Sequence, residues 1–203
     1  MKSINIYFDT EFTGLQQDTD LISIGMITED GKQFYAEFTD YRDYLCDLWI
    51  TENVIKKMNH PQKIVSDMMT TITGCQDEVR EFLLDWLDRQ RKNGDEKIQF
   101  VSDVCHYDFV LLIDLLSDSG CASAINLPNY ISPYCHDINQ DMTKFINAKT
   151  SNIGHITDYN SFNIERENFL KEFNISIPGD ETLKHNSLYD AKVIKSIYEL
   201  CNK

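Results

Sequence analysis

Asp9 and Glu11 stand two residues apart where an apolar run ends, in Phe8-Asp9-Thr10-Glu11. Ile4, Ile6 and Phe8 alternate with Asn5 and Tyr7, the period-two pattern of a buried strand. The acids keep that period, so both carboxylates point to one face. Like charges so close repel each other. A divalent cation such as Mg²⁺ or Mn²⁺, which prefers hard oxygen ligands, relieves the repulsion; a solvated strand end is the plainer account. Three further residues could join such chemistry. Asp108 lies in Tyr107-Asp108-Phe109 at the mouth of a helix, where a helix cap also explains an aspartate. Asp190 falls in the first turn of the last helix, a position the helix dipole favours for any acid. His185 precedes it in His-Asn-Ser-Leu-Tyr-Asp. Its side chain titrates near neutrality and could act as a general base, although a lone loop histidine is ordinarily a surface residue.

The elements that must carry these residues follow from periodicity and turn signals. After the first strand and a turn at Thr13-Gly14, Leu21–Thr28 reads as a second strand, and Glu29-Asp30-Gly31 as a hairpin turn into a third strand over Gln33–Phe38. Together they form an antiparallel meander. Thr51–Met58 reads as a short helix capped by Thr51, followed by a polar stretch from Asn59 to Gly74. Val79, Phe82, Leu83, Trp86 and Leu87 recur at helical spacing between Gln76 and a break at Asn93-Gly94. Ile98–Ser102 is a fourth strand, and Asp108–Leu116 a helix packed on the sheet. Ser117–Pro133 is turn-rich, and helices are expected over Asp137–Lys149, Ile164–Phe173 and Leu188–Cys201, with a loop carrying Pro178 and Gly179 between the last two. A meander followed by alternating strand and helices implies a mixed sheet with helices on its faces.

At 203 residues the chain is long enough for one domain with a substantial core, and its 42% hydrophobic content is that of a globular protein. No apolar stretch approaches the roughly 20 residues needed to span a bilayer, and no signal-peptide pattern is visible, so a cytoplasmic protein without membrane contacts is expected. Six scattered cysteines without a Cys-x-x-Cys pair fit free thiols rather than zinc or disulfides. A net charge of −14 argues against tight non-specific binding to long nucleic acid, where a basic surface supplies affinity. Short substrates need few phosphate contacts and are not excluded.

The order of the acidic positions carries more than any one of them. Phe8–Leu15, FDTEFTGL, resembles the first motif of the DEDDh 3′–5′ exonucleases, typically DTETTGL; Tyr107-Asp108 falls at the second, and HNSLYDAKVI resembles the third, typically HxALxDA. The resemblance spans nearly the whole chain and is closest to stand-alone exoribonucleases. It implies an α/β, RNase H-like exonuclease fold: one domain over 1–203, with a central mixed sheet of about five strands flanked by helices. It also implies two divalent cations, Mg²⁺ or Mn²⁺, about 3.5–4 Å apart. Asp9 would bridge them, Glu11 and Asp190 would complete one ligand set, Asp108 would support the other, and His185 would be the base. Four carboxylates and two such ions sum to zero charge.

By the same resemblance, the partner is single-stranded nucleic acid, RNA favoured over DNA, with a homodimer completing the groove. Thr10 and Leu15 match positions that hold the terminal nucleotide. Phe12 and Tyr107 offer rings for base stacking, Phe109 is better explained by core packing, and Lys184 by solvation. Two departures stand out: Phe12 replaces a common threonine, and Asp103-Val104-Cys105-His106 stands where many relatives have an asparagine before the aromatic-Asp pair. Two other readings remain, a proofreading-type DNA exonuclease and a catalytically silent binding module. A silent module has no reason to keep all five of Asp9, Glu11, Asp108, His185 and Asp190.

Overall fold

The structure, a computed structural model, describes residues 3–92, 94–117, 123–150, 166–176 and 179–203. The expected helix start at Ile164, together with Asn93, Gly120, Cys121, His155 and Pro178, lies outside the described residues. Seven strands form one sheet: β1 Ser3–Phe12, β2 Leu21–Thr28, β3 Gln33–Phe38, β4 Ile64–Val65, β5 Met69–Gly74, β6 Lys97–Ser102 and β7 Ile131–Asp137, in the order β4-β5-β3-β2-β1-β6-β7. The β1–β2–β3 meander is antiparallel as expected, β5 runs parallel to β3, and β6 and β7 continue parallel from β1. The helices are α1 Leu48–Asn53, α2 Gln76–Gln90, α3 His106–Leu116, α4 Ile138–Thr150, α5 Arg166–Glu172 and α6 Ser187–Cys201.

The mixed sheet flanked by helices agrees with expectation, but it has seven strands rather than about five. Three strands go beyond those read from the sequence: β4 is only a two-residue pair on β5, and β5 and β7 each have a physical cause. Strand β5, Met69-Thr-Thr-Ile-Thr-Gly, lies in the stretch that reads as polar, yet threonine is β-branched and favours strands. Two of its hydroxyls are satisfied locally, Thr71 donating to the carbonyl of Gln62 at 2.7 Å and Thr73 to that of Pro61 at 3.2 Å, while the buried Thr70 hydroxyl meets no partner among the described residues. Strand β7 contains Pro133, which suggests a turn; an edge strand tolerates the missing donor, and β7 is the edge.

Alternate residues of β1 feed two cores. Ile6 and Phe8 pack with Phe100, with Leu83 and Trp86 of α2, and with Leu112 of α3. Tyr7 packs on the other face with Val101, Met142 of α4, Phe169 of α5 and Ile194 of α6. No helix among the described residues is long and apolar enough to cross a membrane. Helix α1 starts earlier than the sequence suggests. Asp47, not Thr51, caps it, accepting the Ile50 amide at 2.8 Å, while the Thr51 hydroxyl donates back to the Asp47 carbonyl at 2.8 Å. A separate 3₁₀ turn, Ile55–Lys57, follows. Asp137 ends β7 and accepts the Asn139 amide at 2.9 Å at the start of α4, as a cap would.

The cap assignment is testable by denaturant unfolding. Asp47→Ala should cost about 1 kcal/mol, and Thr51→Ala clearly less. Equal costs would contradict it.

Candidate active site

Strand β1 ends at the carboxyl end of its parallel pair with β6, where side chains from several elements can converge. In the β1–β2 register Asp9 lies opposite Gly25 and Glu11 opposite Ser23, and a bulge follows between Glu11 and Phe12. These two small residues of β2 form the seat for α6. A Cβ on Gly25 would lie 2.2 Å from the Leu188 amide nitrogen, so only glycine lets the helix come so close. Beside it, the buried hydroxyls of Ser23 and Ser187 meet at 2.9 Å. Asp190, one helical turn in, is thereby buried next to Asp9.

His185 sits just before α6 in a left-handed conformation, φ 67°, which a histidine adopts only when its surroundings hold it there. Its amide donates to Asp190 Oδ2 at 3.0 Å, and Lys57 Nζ donates to the neighbouring Lys184 carbonyl. Asn186 caps α6 on the Tyr189 amide and donates to the Tyr35 hydroxyl at 3.1 Å. Tyr35 in turn donates to the fully buried Glu37 at 2.7 Å.

Asp108 arrives from the other side. The chain leaves β6 through Asp103-Val104-Cys105, with Val104 at φ 46°, and Cys105 rather than Asp108 occupies the cap position of α3. Asp108 Oδ1 instead accepts the Thr10 amide at 2.9 Å and the Thr10 hydroxyl at 2.6 Å. A capping role for Asp108 is thus set aside, and Thr10 spends both donors on positioning it.

The structure therefore brings Asp9, Glu11, Asp108, His185 and Asp190 to one cleft of about 550 Å³. Burial, then Asp190 and Asp108, push the Glu11 carboxyl up from 4.5 to about 8. Burial and the same two neighbours raise Asp9 well above the carboxylate range. Burial lifts Asp108 to about 6 against its bonds from Thr10. Such a cluster asks for positive charge. Glu11, His185 and Asp190 each offer a ligand atom within 4.8 Å of the others, a donor set suited to a divalent cation.

Arg166 was not singled out by sequence reasoning. Its Nη1 lies 3.4 Å from Asp9, its Nη2 3.5 Å from Asp190 and its Nε 3.1 Å from Asp103. No local sequence signal marks it, because it comes from α5, distant in sequence from Asp9. Gly25 carried a readable signal, a glycine inside a strand.

The remaining expected residues form the rim. Phe12 and Tyr107 stack on each other, centroids 5.5 Å apart and planes at 20°. The Tyr107 hydroxyl donates to the Leu15 carbonyl at 3.1 Å, leaving the Leu15 side chain 77% exposed over the cleft. The loop bearing Leu15 is fixed by Arg42, which forks onto Asp18 and Asp20 at 2.7–2.9 Å. Trp49 of α1 faces this rim, half exposed, with its ring 4.9 Å from that of His185. Phe109 packs toward Phe100 in the core, as expected.

Two curated proteins named 3′–5′ exoribonuclease, from Mycobacterium tuberculosis strains CDC 1551 / Oshkosh and ATCC 25618 / H37Rv, are each 29% identical to this chain over 109 residues. The match covers 54% of this chain and 59% of theirs. Sequence, fold and acidic motifs agree on a resemblance to DEDD-type exonucleases. Among solved structures, cell-death related nuclease 4 (CRN-4) superposes with TM-score 0.59 at 13% identity, covering 98% of this chain and 63% of its own. The zinc-bound ExoI–ssDNA complex of E. coli superposes with TM-score 0.58 at 12% identity, covering 99% and 40%. At these identities the structures speak for the fold. No family model matches.

Two outcomes follow. Gly25→Ala should push α6 off β2, lowering stability by about 1–3 kcal/mol and weakening Mn²⁺ binding measured by calorimetry, whereas Ser23→Ala should be milder. Glu11 and Asp108 bind protons more tightly in the folded chain than in the unfolded one, so their contribution is present at low pH and lost as pH rises toward about 8 and about 6. In chelator, the melting temperature should fall between pH 5 and 8.5, and Glu11→Gln should flatten that fall. Mn²⁺ should restore more stability at pH 8 than at pH 5, since it replaces protons. A melting temperature that climbs with pH in chelator would contradict the electrostatics.

Proposed function

We propose that this chain is a metal-dependent 3′–5′ exoribonuclease that releases nucleoside 5′-monophosphates from single-stranded RNA, short strands included. The observation that carries the reading is the convergence of Asp9, Glu11, Asp108 and Asp190, with His185 beside them, in a cleft rimmed by Leu15 and Trp49. Asp9, Glu11, Asp190 and Asp108 would hold two divalent cations, Mg²⁺ or Mn²⁺. Bound there, such cations supply charge neutralisation of a phosphodiester and a more acidic attacking water. His185 takes the proton of that water. Leu15 and the Trp49 ring bracket the terminal bases, and ring stacking of this kind accepts any base. RNA is preferred over DNA here because the relatives matched in sequence carry the exoribonuclease name.

The grouping of His185 with Glu11 and Asp190 supports a second reading of one residue, with His185 as a cation ligand. The same reading of the chain extends, on resemblance, to one domain over 1–203 and to a homodimer that completes the groove. Cys46, Cys75, Cys105, Cys135 and Cys201 are free thiols, which suits a reducing, cytoplasmic setting.

The test uses 5′-labelled RNA and DNA oligomers of several lengths with Mg²⁺, Mn²⁺ or chelator. A ladder shortening from the 3′ end, dependent on metal and abolished by Asp9→Ala, is expected, with RNA degraded faster than DNA. Internal cuts as the main product, or cleavage surviving Asp9→Ala, would overturn the assignment, and faster loss of DNA would move it to a DNA exonuclease. His185→Ala should slow turnover by about 10²–10⁴-fold with Mn²⁺ affinity retained. Loss of Mn²⁺ binding instead would make His185 a ligand.

A further inference from the structure

Arg166 lies against Asp9 and Asp190, two of the acids that would hold cations under the reading above, and it is held from behind. Its α5 is fixed in the core by Phe169 and Leu170. Among the described residues its guanidinium reaches three carboxylates, Asp103 through Nε at 3.1 Å, Asp9 through Nη1 at 3.4 Å and Asp190 through Nη2 at 3.5 Å. Asp103 is itself anchored, since its Oδ1 accepts the Asn139 side-chain amide of α4 at 2.5 Å. Of the three contacts the tightest is therefore to the acid that lies outside the four-carboxylate set. The two looser ones go to Asp9 and Asp190, whose oxygens a divalent cation would claim.

Charge gives the same division. Asp103 and Arg166 cancel each other, leaving four carboxylates for two divalent cations. The aspartate at 103 is what makes this pair neutral. An asparagine could accept from Nε, but it would leave an uncompensated guanidinium beside bound cations.

We propose that Arg166 is a displaceable counter-ion of the acidic centre and, once displaced, the contact for a substrate phosphate, with Asp103 as its pivot. In the metal-free protein its two Nη groups hold Asp9 and Asp190 together. When cations take those oxygens, Nε stays on Asp103 and the freed planar fork faces the cleft, where it matches two phosphate oxygens. The inference rests on the nuclease reading above, because it supposes that the cleft takes cations and a nucleotide phosphate.

The two roles predict effects of opposite sign, which a merely structural arginine would not produce. In the full chain, Mn²⁺ is titrated alone by calorimetry, and then adenosine 5′-monophosphate is titrated at saturating Mn²⁺. Arg166→Gln should bind Mn²⁺ about fivefold more tightly, having lost its competitor, and the nucleotide about tenfold more weakly. Arg166→Lys keeps the charge and loses the fork, so its Mn²⁺ affinity should match that of the parent while its nucleotide affinity falls. Weaker or unchanged Mn²⁺ binding in Arg166→Gln, or unchanged nucleotide binding, would overturn the inference. If that variant does not fold, Arg166→Lys decides: a nucleotide affinity equal to the parent's sinks it. A parent chain that binds neither Mn²⁺ nor the nucleotide, and leaves labelled RNA and DNA intact, overturns the nuclease reading itself. A parent that binds Mn²⁺ and the nucleotide and degrades labelled RNA or DNA, with Arg166→Gln indistinguishable from it, overturns only the role of Arg166.

Discussion

Four carboxylates held within one cleft repel one another, and much of the surrounding structure exists to hold them there. Each is fixed by a contact that does not depend on its charge being neutralised. Asp9 and Glu11 are fixed by strand register, Asp108 by the two donors of Thr10, and Asp190 by the seating of α6 on Ser23 and Gly25. The cost of the repulsion shows in the direction of the carboxyl shifts: burial raises each one discussed, and for Asp9 and Glu11 the neighbouring acids raise it further. A cluster preorganised in this way costs stability, and under the proposed function that cost would be offset by binding cations. The fold supplies that stability from elsewhere, in two cores fed by alternate residues of the same strand, Phe8 on one face and Tyr7 on the other.

The close approach at Gly25 links the cores to the site. Helix α6 carries Val193, Ile194 and Ile197 into one core and Asp190 into the cleft. A helix seated farther from the sheet would still bury its apolar face, but Asp190 would move away from Asp9. Packing alone therefore does not specify the site; the missing side chain on β2 does. The loop before α6 is fixed separately, through Asn186, Tyr35 and the buried Glu37. His185 is thus held in its left-handed backbone from two sides, by this chain of contacts and by its own amide bond to Asp190.

The pattern of what was legible follows from these causes. The same-face placement of Asp9 and Glu11 was readable because a strand has a period of two, and the β1–β2–β3 meander because its turn residues are local. The positions of Asp108, His185 and Asp190 were readable only as an ordered set of motifs, since nothing near each one distinguishes a ligand from a cap or a surface residue. Strands β5 and β7 were missed because hydropathy hides a threonine strand and a proline disguises an edge. Trp49 and Arg166 reach the cleft from elements whose packing is decided by long-range contacts, and no spacing in the chain reveals those.

The acidic balance of the chain takes on a more specific meaning beside this site. With a net charge of −14, the surface as a whole repels a polyanion. The repulsion is screened over about 8–10 Å at moderate salt, so under the proposed function it would act on strand extending past the cleft more than on a nucleotide inside it. Within the cleft, Arg166 and Asp103 pair, and bound cations would cancel the remaining acids, so that a terminal nucleotide, as proposed, would meet a neutral centre. Under the proposed function, a short strand would be confined to the neutral region, while a long one would also meet the field of the acidic chain. A preference for short strands would then need no residue that reads sequence or length, because a neutral cleft in a negatively charged body is enough to produce it.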